Sequence, residues 1–335
     1  MDMINRVEGN RFSGHPARRR SHRLKMGLLA LGMALLWGCG SGQVAENAAQ
    51  LGPWQVTPIP LDYQDYIYHI TMSKETKEFW AIGTYGKIFH YRENEWKPFP
   101  SPVTEHLFDI TFLSANDGWV VGADKINPHQ GIILHWDGEA WKEVPNISDD
   151  TLLSVSFSRT DDGWAVGANS NLVHYDGAQW TKVEPPRFCY LSAVHFSAPN
   201  DGWSVGNEGV ILRYDGQSWQ DFPSPTQKNI FSLSFNTPDD GWAVGVAGTI
   251  LHWDGQDWKL FPSPTEMILS RVSFRGPDEG YIVGAAGIML KFDGKEWKEI
   301  SSPSKRYLYT VLAANPDVVW TAGRDKKVFH LVEGK

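Results

Sequence analysis

The chain is poor in cysteine and in long apolar stretches. Among its 335 residues are two cysteines, Cys39 and Cys189, so a scaffold built on disulfides is excluded. The apolar stretch from Met26 to Trp37 has about twelve residues, whereas a helix needs about 20 to span a bilayer. With 32 Gly, 20 Pro and 16 Trp, the chain instead favours many short strands joined by tight turns.

Basic residues are scarce outside the N-terminal segment. Residues 1–38 hold seven of the 31 basic residues and two of the 39 acidic ones, which leaves the rest of the chain with a net charge of −13. No run of basic residues follows Cys39, and such an acidic body repels phosphate backbones. Nucleic acid is therefore not expected as a partner.

Motifs of catalysis are missing too. The sequence contains no phosphate-cradling glycine loop, no serine nucleophile elbow and no metal-ligand spacing. No recognisable motif places a histidine beside Cys189, which predicts a small packed thiol rather than a nucleophile. We expect neither enzymatic activity nor a metal or other cofactor.

The N-terminal segment has the order of features found in an export signal. Basic residues at 18–25 precede the apolar stretch, which ends at Leu36-Trp37-Gly38-Cys39. This ending resembles a bacterial lipobox. The resemblance implies that residues 1–38 are a lipoprotein signal peptide and that Cys39 carries a lipid, which would hold the exported protein at a bacterial membrane. By the same resemblance, Gly40 in place of an Asp after the cysteine favours the outer membrane or the cell surface in an organism with two membranes. A plain cleaved signal or an uncleaved anchor is the alternative.

A repeat of 39 residues, defined by two tryptophan registers, fills the rest of the chain. The first register lies in a Trp-Ala-Val-Gly pattern, and its members are Trp80, Trp119, Trp164, Trp203, Trp242, Tyr281 and Trp320. The second follows an Asp-Gly turn, and its members are Trp96, Trp141, Trp180, Trp219, Trp258 and Trp297. One interval is longer because six extra residues lie within Ala123–Gln130. This regularity predicts a repeat architecture.

Each repeat is expected to form four antiparallel strands, A to D. Taking residues 229–262 as the example, the predicted strands are Ile230–Phe235, Trp242–Gly245, Thr249–Trp253 and Trp258–Phe261. Asp-Gly and Ala-Gly pairs supply the tight turns between them. Four-stranded units of this length, repeated radially, are the blades of a β-propeller.

Seven first-register residues predict an all-β, seven-bladed propeller. The last repeat stops after strand C, at Val332, and has no second-register Trp. Trp54 supplies the missing residue, so the N-terminal strand Trp54–Pro60 is expected to pair with Lys327–Val332 and close the ring. The predicted domains are a signal peptide at 1–38, a flexible tether at 39–52 and the propeller at 53–335.

The pattern Asp-Gly-Trp-Ala-Val-Gly followed by Ile-Leu-His-Trp-Asp-Gly-Xaa-Xaa-Trp covers about residues 54–332. It resembles the BNR, or Asp-box-like, propellers, and in style the photosystem II assembly and stability factors with their non-photosynthetic bacterial relatives. The resemblance implies a non-enzymatic scaffold for protein interaction or assembly in the cell envelope. Tectonin-type lectin propellers share the style more loosely, which leaves a carbohydrate-binding surface propeller with a glycan ligand as the alternative.

Residues that recur once in every blade are predicted to be structural, because equivalent places around a ring are too far apart to share a proton or a metal ion. Two such sets are the turn aspartates Asp137, Asp176, Asp215, Asp254 and Asp293, and the strand C histidines His90, His135, His174, His252 and His330. A sialidase-like glycosidase would need an arginine cluster at the axis. Only Arg306 and Arg324 stand in suitable loops, so this activity is the least favoured reading.

Residues that differ between blades are the candidates for binding. In a propeller the D–A and B–C loops share one face, and here those loops mix aromatic residues with single charges, which suits a protein or glycan partner. The predicted binding residues are Tyr66, Tyr85, Glu105, His106, Asp150, Tyr190, Lys228, Asn229, Arg306, Tyr307 and Arg324.

Overall fold

The computed structural model describes residues 54–332, apart from residues 63–64, 124–129, 146–147, 149 and 316–317. Within that part, the chain forms seven four-stranded sheets and three single-turn 3-10 helices. The predicted signal peptide, Cys39, the tether and most of the irregular insertion lie outside the described residues. No helix of the described part is long and apolar enough to cross a membrane.

In chain order the strands are β1 (Trp54–Thr57), β2 (Ile67–Met72), β3 (Phe79–Gly83), β4 (Ile88–Arg92), β5 (Glu95–Phe99), β6 (His106–Ser114), β7 (Asp117–Ala123), β8 (Gly131–Trp136), β9 (Trp141–Glu143), β10 (Leu152–Arg159), β11 (Asp162–Gly167), β12 (Leu172–Tyr175), β13 (Trp180–Lys182) and β14 (Leu191–Ala198). The remaining strands are β15 (Asp201–Gly206), β16 (Ile211–Tyr214), β17 (Trp219–Asp221), β18 (Ile230–Thr237), β19 (Asp240–Gly245), β20 (Ile250–Trp253), β21 (Trp258–Leu260), β22 (Leu269–Gly276), β23 (Glu279–Gly284), β24 (Met289–Phe292), β25 (Trp297–Glu299), β26 (Leu308–Asn315), β27 (Val318–Gly323) and β28 (Val328–Val332). The 3-10 turns are Thr84–Gly86, Asn207–Gly209 and Ala285–Gly287.

The sheets are the seven blades that the repeat predicts. The first six blades are antiparallel meanders of four consecutive strands, and the seventh has the order β1-β28-β27-β26. Trp54 lies opposite Leu331 and Thr57 opposite Val328, so the N-terminal strand is strand D of the last blade. Both the fold class and the closure by the N-terminal strand are confirmed. Strand β1 ends before Pro58, since proline has no N–H to donate to the ladder.

The Asp-Gly-Trp motif at the start of strand B gives each of its residues a separate structural task. In blade 3, the carboxylate of Asp162 lies 2.7 Å from Nε2 of His174 in strand C. A Cβ on Gly163 would lie 2.3 Å from the ring of Phe157, so only glycine fits under that ring. Trp164 then points into the interface with the next blade. Equivalent contacts are made in blades 2, 4 and 5, where the motif recurs.

Tryptophan pairs form the interfaces between blades. The first-register Trp of one blade meets the second-register Trp of the next blade edge to face, with centroids 5.4–6.0 Å apart and planes at 73–82°. The pairs are Trp80 with Trp141, Trp119 with Trp180, Trp164 with Trp219, Trp203 with Trp258, Trp242 with Trp297 and Trp320 with Trp96. At the seventh interface Tyr281 and Trp54 share one core cluster. Each buried Trp contributes at most about 4–6 kcal/mol.

The Asp-Gly turns between strands C and D are structural, as predicted. Oδ1 of Asp254 accepts the backbone N–H groups of Gln256 and Asp257 at 3.1 and 3.0 Å. Gly255 has a φ of +88°, a conformation that L side chains rarely adopt. Equivalent aspartates make the same pair of bonds in blades 2, 3, 4 and 6.

The strand C histidines pack against the first-register tryptophans, as predicted. His90 stacks on Trp80 with centroids 3.9 Å apart, and His252 stacks on Trp242 at 4.3 Å. In blade 4, Arg213 takes the histidine's place and lies 5.0 Å from the Trp203 ring. Each histidine therefore belongs to its own blade, and the described residues contain no group of three or more His, Cys, Asp or Glu that could hold a metal ion.

Candidate functional site

The two faces of the propeller differ in chemistry. The D–A and B–C loops lie on one face, which we call the aromatic face. The A–B and C–D turns lie on the other, which we call the Asp-Gly face. Strand β1 runs from the pair Trp54–Leu331 to the pair Thr57–Val328, that is, towards the B–C loop of blade 7. The chain therefore enters the propeller on the Asp-Gly face, opposite the aromatic face.

Four tyrosines from blades 7 and 1 meet on the aromatic face: Tyr66, Tyr68, Tyr307 and Tyr309, which we call the tyrosine cluster. The ring of Tyr309 is the centre of the group. Its centroid lies 4.9 Å from that of Tyr307, 5.2 Å from that of Tyr68 and 6.3 Å from that of Tyr66. All four rings are partly buried. They form a continuous aromatic surface at the mouth of the central channel.

Blade 2 extends this aromatic surface. The ring of Phe108 lies 5.2 Å from that of Tyr68, and His106 meets Tyr68 edge to face at 6.2 Å. Tyr85, in the B–C loop of blade 1, lies 5.1 Å from His106 and donates its backbone N–H to Nδ1 of that ring at 3.3 Å. Three adjacent blades, 7, 1 and 2, thus supply one set of touching rings.

Arg324 lies over the tyrosine cluster. Its guanidinium carbon is 5.5 Å from the centroid of Tyr66, 5.8 Å from that of Tyr307 and 5.7 Å from that of Tyr309. Nε donates a hydrogen bond of 2.7 Å to the hydroxyl of Tyr309, and the Arg324 backbone N–H bonds to the carbonyl of Tyr307. Arg324 is nevertheless exposed, and no carboxylate of the described residues pairs with it. A fixed guanidinium therefore faces solvent.

Two hydroxyls of the cluster, those of Tyr68 and Tyr307, stay protonated at neutral pH because their pKa values are raised. Burial raises the pKa of Tyr68 to about 12, and the neighbouring Tyr309 and Tyr66 add to the shift. Burial likewise raises the pKa of Tyr307. Tyr68 and Tyr307 consequently present neutral O–H groups, which can donate hydrogen bonds to an acceptor, near the positive charge of Arg324.

The loops of blade 7 carry a local positive charge, which comes from two segments that are not adjacent in the sequence. Residues 300–307 and 324–327 contain one acid, Asp325, and five bases: Lys305, Arg306, Arg324, Lys326 and Lys327. The two loops touch, because Ser304 hydrogen-bonds to Asp325 and Arg306 lies 3.7 Å from the same carboxylate. The matching loops of the other six blades have net charges from −2 to +1. A basic patch is therefore formed by two loops that are separated along the chain.

A partly buried ion pair crosses the central channel next to the tyrosine cluster. Nη2 of Arg271 in blade 6 lies 3.2 Å from Oδ1 of Asp109 in blade 2 and 2.6 Å from Nε2 of His69 in blade 1. Nδ1 of His69 lies 2.5 Å from the same Oδ1 and 3.4 Å from the backbone nitrogen of Ile110 in the next blade. We call these three residues the channel clasp. Burial and Arg271 lower the pKa of His69, which stays neutral.

Asp109 is the anion of the clasp. Burial opposes its ionisation, but His69 and Arg271 outweigh burial and hold the pKa of the carboxyl well below its usual value. Its Oδ2 also accepts the backbone N–H of Val155, in strand A of the next blade, at 3.0 Å. Ser154, Ser232 and Thr310 accept the matching N–H groups at 3.2–3.3 Å in other blades. The channel side chains thereby satisfy edge N–H groups that no strand pairs with.

The predicted binding residues all lie on the aromatic face, but the structure joins only some of them. Arg324 contacts Tyr66 and Tyr307, and Tyr85 contacts His106. The ring of Tyr68, which meets both His106 and Tyr309, connects these two groups. Arg306 stands beside them in the basic loop of blade 7. Glu105 lies outside the rings, in a groove of about 310 Å³ between blades 1 and 2 that Gln130 and Glu143 also line.

The other predicted residues are dispersed over blades 3 to 5. Asp150 is buried and hydrogen-bonds to Asn169, which is a structural role. Asn229 accepts the backbone N–H of Glu208, and Nζ of Lys228 reaches the carbonyl of Ala247 at 3.4 Å. Tyr190 is exposed. These residues are not part of the tyrosine cluster.

Cys189 is buried, as predicted, with its backbone N–H bonded to the hydroxyl of Ser170. Burial raises the pKa of its thiol, which keeps it protonated at neutral pH. It is a packed residue of blade 4.

Sequence reasoning missed Tyr68, Phe108, Tyr309 and the channel clasp, because all of them lie in strand A and not in a loop. A β-bulge follows Ile67 and Leu107 in these strands, which puts one extra residue on strand A and breaks its alternation. The bulge position is aromatic in the adjacent blades 7, 1 and 2, and also in blade 5 with Phe231, whereas blade 3 has leucine and blades 4 and 6 have serine.

Fold and site together define a tryptophan-rich seven-bladed propeller with an aromatic candidate binding face. Residues 88–187 and 215–328, more than half of the chain, match the family described as photosynthesis system II assembly factor YCF48. The chain therefore belongs to this family, and the resemblance inferred from the repeat is confirmed. No curated protein sequence matches the chain.

Solved structures share the propeller at low sequence identity. YCF48 bound to a D1 peptide is similar with a TM-score of 0.67 and 18% identity, over 84% of this chain and 98% of that one. YCF48 from Cyanidioschyzon merolae is similar with a TM-score of 0.66 and 15% identity, over 83% and 98%. The WD40 repeats of RRP9 give a TM-score of 0.69 at 10% identity, over 83% and 97%. At these identities the matches show the fold alone.

Proposed function

We propose that this protein is a non-enzymatic scaffold that binds a segment of a partner protein during assembly, and that the tyrosine cluster with Arg324 is the binding site. The single observation that carries the proposal is the set of touching rings that blades 7, 1 and 2 place at the channel mouth. Clustered tyrosines and arginine are the residues that dominate binding energy at protein interfaces. Membership of an assembly-factor family supports the same role.

A peptide segment is the form of partner that we favour. One structurally similar protein, YCF48, is bound to a D1 peptide in its solved structure. A sugar would instead stack on an open ring face, whereas here Tyr309 is tilted at 33° to Tyr307 and 65° to Tyr68, and Arg324 covers it. The lectin alternative therefore has less support than a protein partner.

The cellular location is part of the proposal. The lipobox-like sequence at Cys39 supports export and a lipid anchor in the cell envelope, at the outer membrane or cell surface. The first described residue, Trp54, lies at the Asp-Gly end of strand β1, opposite the aromatic face. Labelling of cells with a radioactive fatty acid tests this anchor: the protein takes up label, and Cys39→Ala does not. Equal labelling of both would refute it.

The binding role is tested by affinity purification from solubilised membranes of the source organism, with the full-length protein in detergent. The baits are wild type, the double variant Tyr66→Ala/Tyr307→Ala, and Gln217→Ala on the Asp-Gly face as the control. We expect wild type and Gln217→Ala to retain the same proteins and the double variant, checked for unchanged melting, to retain at least tenfold less. Equal retention by all three baits would refute the proposal, and loss of retention after periodate oxidation would favour a glycan ligand.

A further inference from the structure

Most of the large apolar side chains that the described part of the propeller leaves exposed lie on the aromatic face. The five exposed ones are Phe188, Tyr190, Leu260, Met267 and Ile268. Leu260 belongs to an outer strand, whereas the other four, which we call the apolar tips, stand in the D–A loops that lead into blades 4 and 6. We propose that the apolar tips dock the aromatic face on an anionic lipid bilayer.

The apolar tips are arranged for a plane and not for a pocket. Tyr190 and Ile268 each directly precede a strand A, so they hold equivalent places, at the same height, in blades 4 and 6. Phe188 is 80% exposed, so packing within the propeller does not account for it. The anchoring residues of a protein interface cluster at one centre, whereas these tips are separated by blade 5. A bilayer contacts separated tips at the same time.

Cations alternate with the apolar tips around the ring. Lys228 is exposed in the D–A loop of blade 5, and the B–C loop of the same blade reaches the next tips, because the N–H of Gly248 donates to the carbonyl of Met267 at 2.8 Å. Lys305 and Arg306 are exposed in the D–A loop that follows. Together, the D–A and B–C loops of blades 5 to 7 hold six bases and two acids. Apolar side chains among cations are what binds a protein to anionic lipid.

The charge of the opposite face fixes the orientation. The six C–D turns of the Asp-Gly face hold nine acids and one base, which gives them a net charge of −8. An anionic bilayer repels this face and attracts the loops of blades 5 to 7. The charge distribution therefore turns the aromatic face towards the lipid, and the apolar tips are then the first side chains to reach it.

The length of chain before Trp54 allows this docking together with the lipid on Cys39 that we proposed above. Strand β1 is the outer strand of blade 7, so the chain before it can run along the outside of the propeller. A strand A such as β18 has eight residues and spans about 27 Å between the faces at about 3.4 Å per residue. Residues 39–53 reach at most about 50 Å when fully extended. The anchor and the apolar tips can therefore enter the same bilayer.

A single fluorescent label tests the docking on the lipid-anchored protein, purified from membranes in detergent. In a Cys189→Ser background, Met267→Cys places the fluorophore NBD on the apolar tips, and Gln217→Cys places it on the Asp-Gly face as the matched control. Each protein is reconstituted on phosphatidylcholine vesicles with or without phosphatidylglycerol, and the background protein corrects for label at Cys39. We expect phosphatidylglycerol to slow the reaction of the probe at 267 with aqueous dithionite about fivefold, and to leave the probe at 217 unchanged.

Variants read with the same probe separate the apolar tips from the cations. Phe188→Ser removes apolar surface and should reduce the protection from dithionite about threefold. Lys305→Gln/Arg306→Gln should reduce it by a similar factor, because it removes two of the attracting charges. Lys142→Gln/Lys298→Gln removes the same charge from lysines that pair with C–D turn aspartates, and it should leave the protection unchanged. Unchanged melting of each variant checks that the fold is intact.

Three outcomes would overturn the inference. The first is an equal rate of reaction at positions 267 and 217 on both kinds of vesicle, which would leave the apolar tips in water. The second is protection that depends neither on phosphatidylglycerol nor on Lys305 and Arg306, which would exclude an anionic bilayer as the occupant. The third is protection in membranes of the source organism but not on vesicles, which would assign the apolar tips to a protein. The vesicles contain no partner protein, so the affinity purification described above decides the proposed function separately.

Discussion

At the scale of single residues, the surroundings of two arginines assign them different roles. Arg271 is directed into the channel, where Asp109 pairs with it and His69 accepts its hydrogen bond. Arg324 stands on the surface, where rings hold it but no carboxylate of the described part neutralises it. The first arginine therefore completes a structural contact, while the second is available to a ligand.

The channel clasp gives a prediction about stability. Arg271→Ser leaves the carboxylate of Asp109 buried without its cation, and we expect a loss of about 3 kcal/mol in the free energy of unfolding. The double variant Asp109→Ser/Arg271→Ser removes both charges and retains a hydroxyl for the N–H of Val155, as Ser154 does for the next blade. It should be more stable than the single variant in urea unfolding. If the single variant were as stable as the double variant, the carboxylate of Asp109 would cost no stability without its cation, which would contradict this prediction.

At the scale of elements, strand β1 decides whether the ring is closed. It supplies the fourth strand of blade 7 and places Trp54 in the core cluster that also contains Tyr281. Without it, β28 would expose an unpaired edge, and the seventh interface would lack its second-register ring. The free energy for closure thus depends on four residues at the N-terminal end of the described chain.

Deletion of residues 51–60 should therefore abolish cooperative thermal unfolding or lower the melting temperature by more than 10 °C, because the burial of Trp54 alone contributes up to about 4–6 kcal/mol. Deletion of residues 41–48, in the predicted tether, is the control and should leave melting unchanged. Differential scanning calorimetry of the two deletions is the measurement. A 51–60 deletion that melts like wild type would contradict closure by β1.

The elements also show how far the sequence predicts the structure. Strands B and D could be placed because a buried Trp marks them in nearly every repeat, and the predicted Trp258–Phe261 differs from β21 by one residue. Tyr68 and Tyr309 could not be assigned to the site from the sequence. A bulge in strand A breaks the alternation of inward and outward side chains on which the prediction depended. The basic patch could not be predicted from the sequence because strands β26 and β27 separate its two loops along the chain.

At the scale of the whole molecule, the repeat builds a uniform ring, and the departures from the repeat build the site. Tryptophan pairs and Asp-Gly turns recur around the ring, so these residues cannot distinguish one blade from another. The touching aromatic rings come from blades 7, 1 and 2 and the basic loops from blade 7, next to the seam that β1 closes. The partner should accordingly bind off the axis, beside the seam, and on the face opposite the entry of the chain.

Site-resolved photo-crosslinking in cells of the source organism tests this account most directly. A photoreactive phenylalanine analogue is placed at Tyr307 on the aromatic face or, as the matched control, at Gln256 in the C–D turn of blade 5 on the Asp-Gly face. The account predicts that the probe at position 307 forms a discrete protein adduct, that Arg324→Gln in the same chain reduces it, and that the probe at position 256 forms none. An adduct at position 256 but not at 307, or one at 307 that Arg324→Gln leaves unchanged, would contradict it.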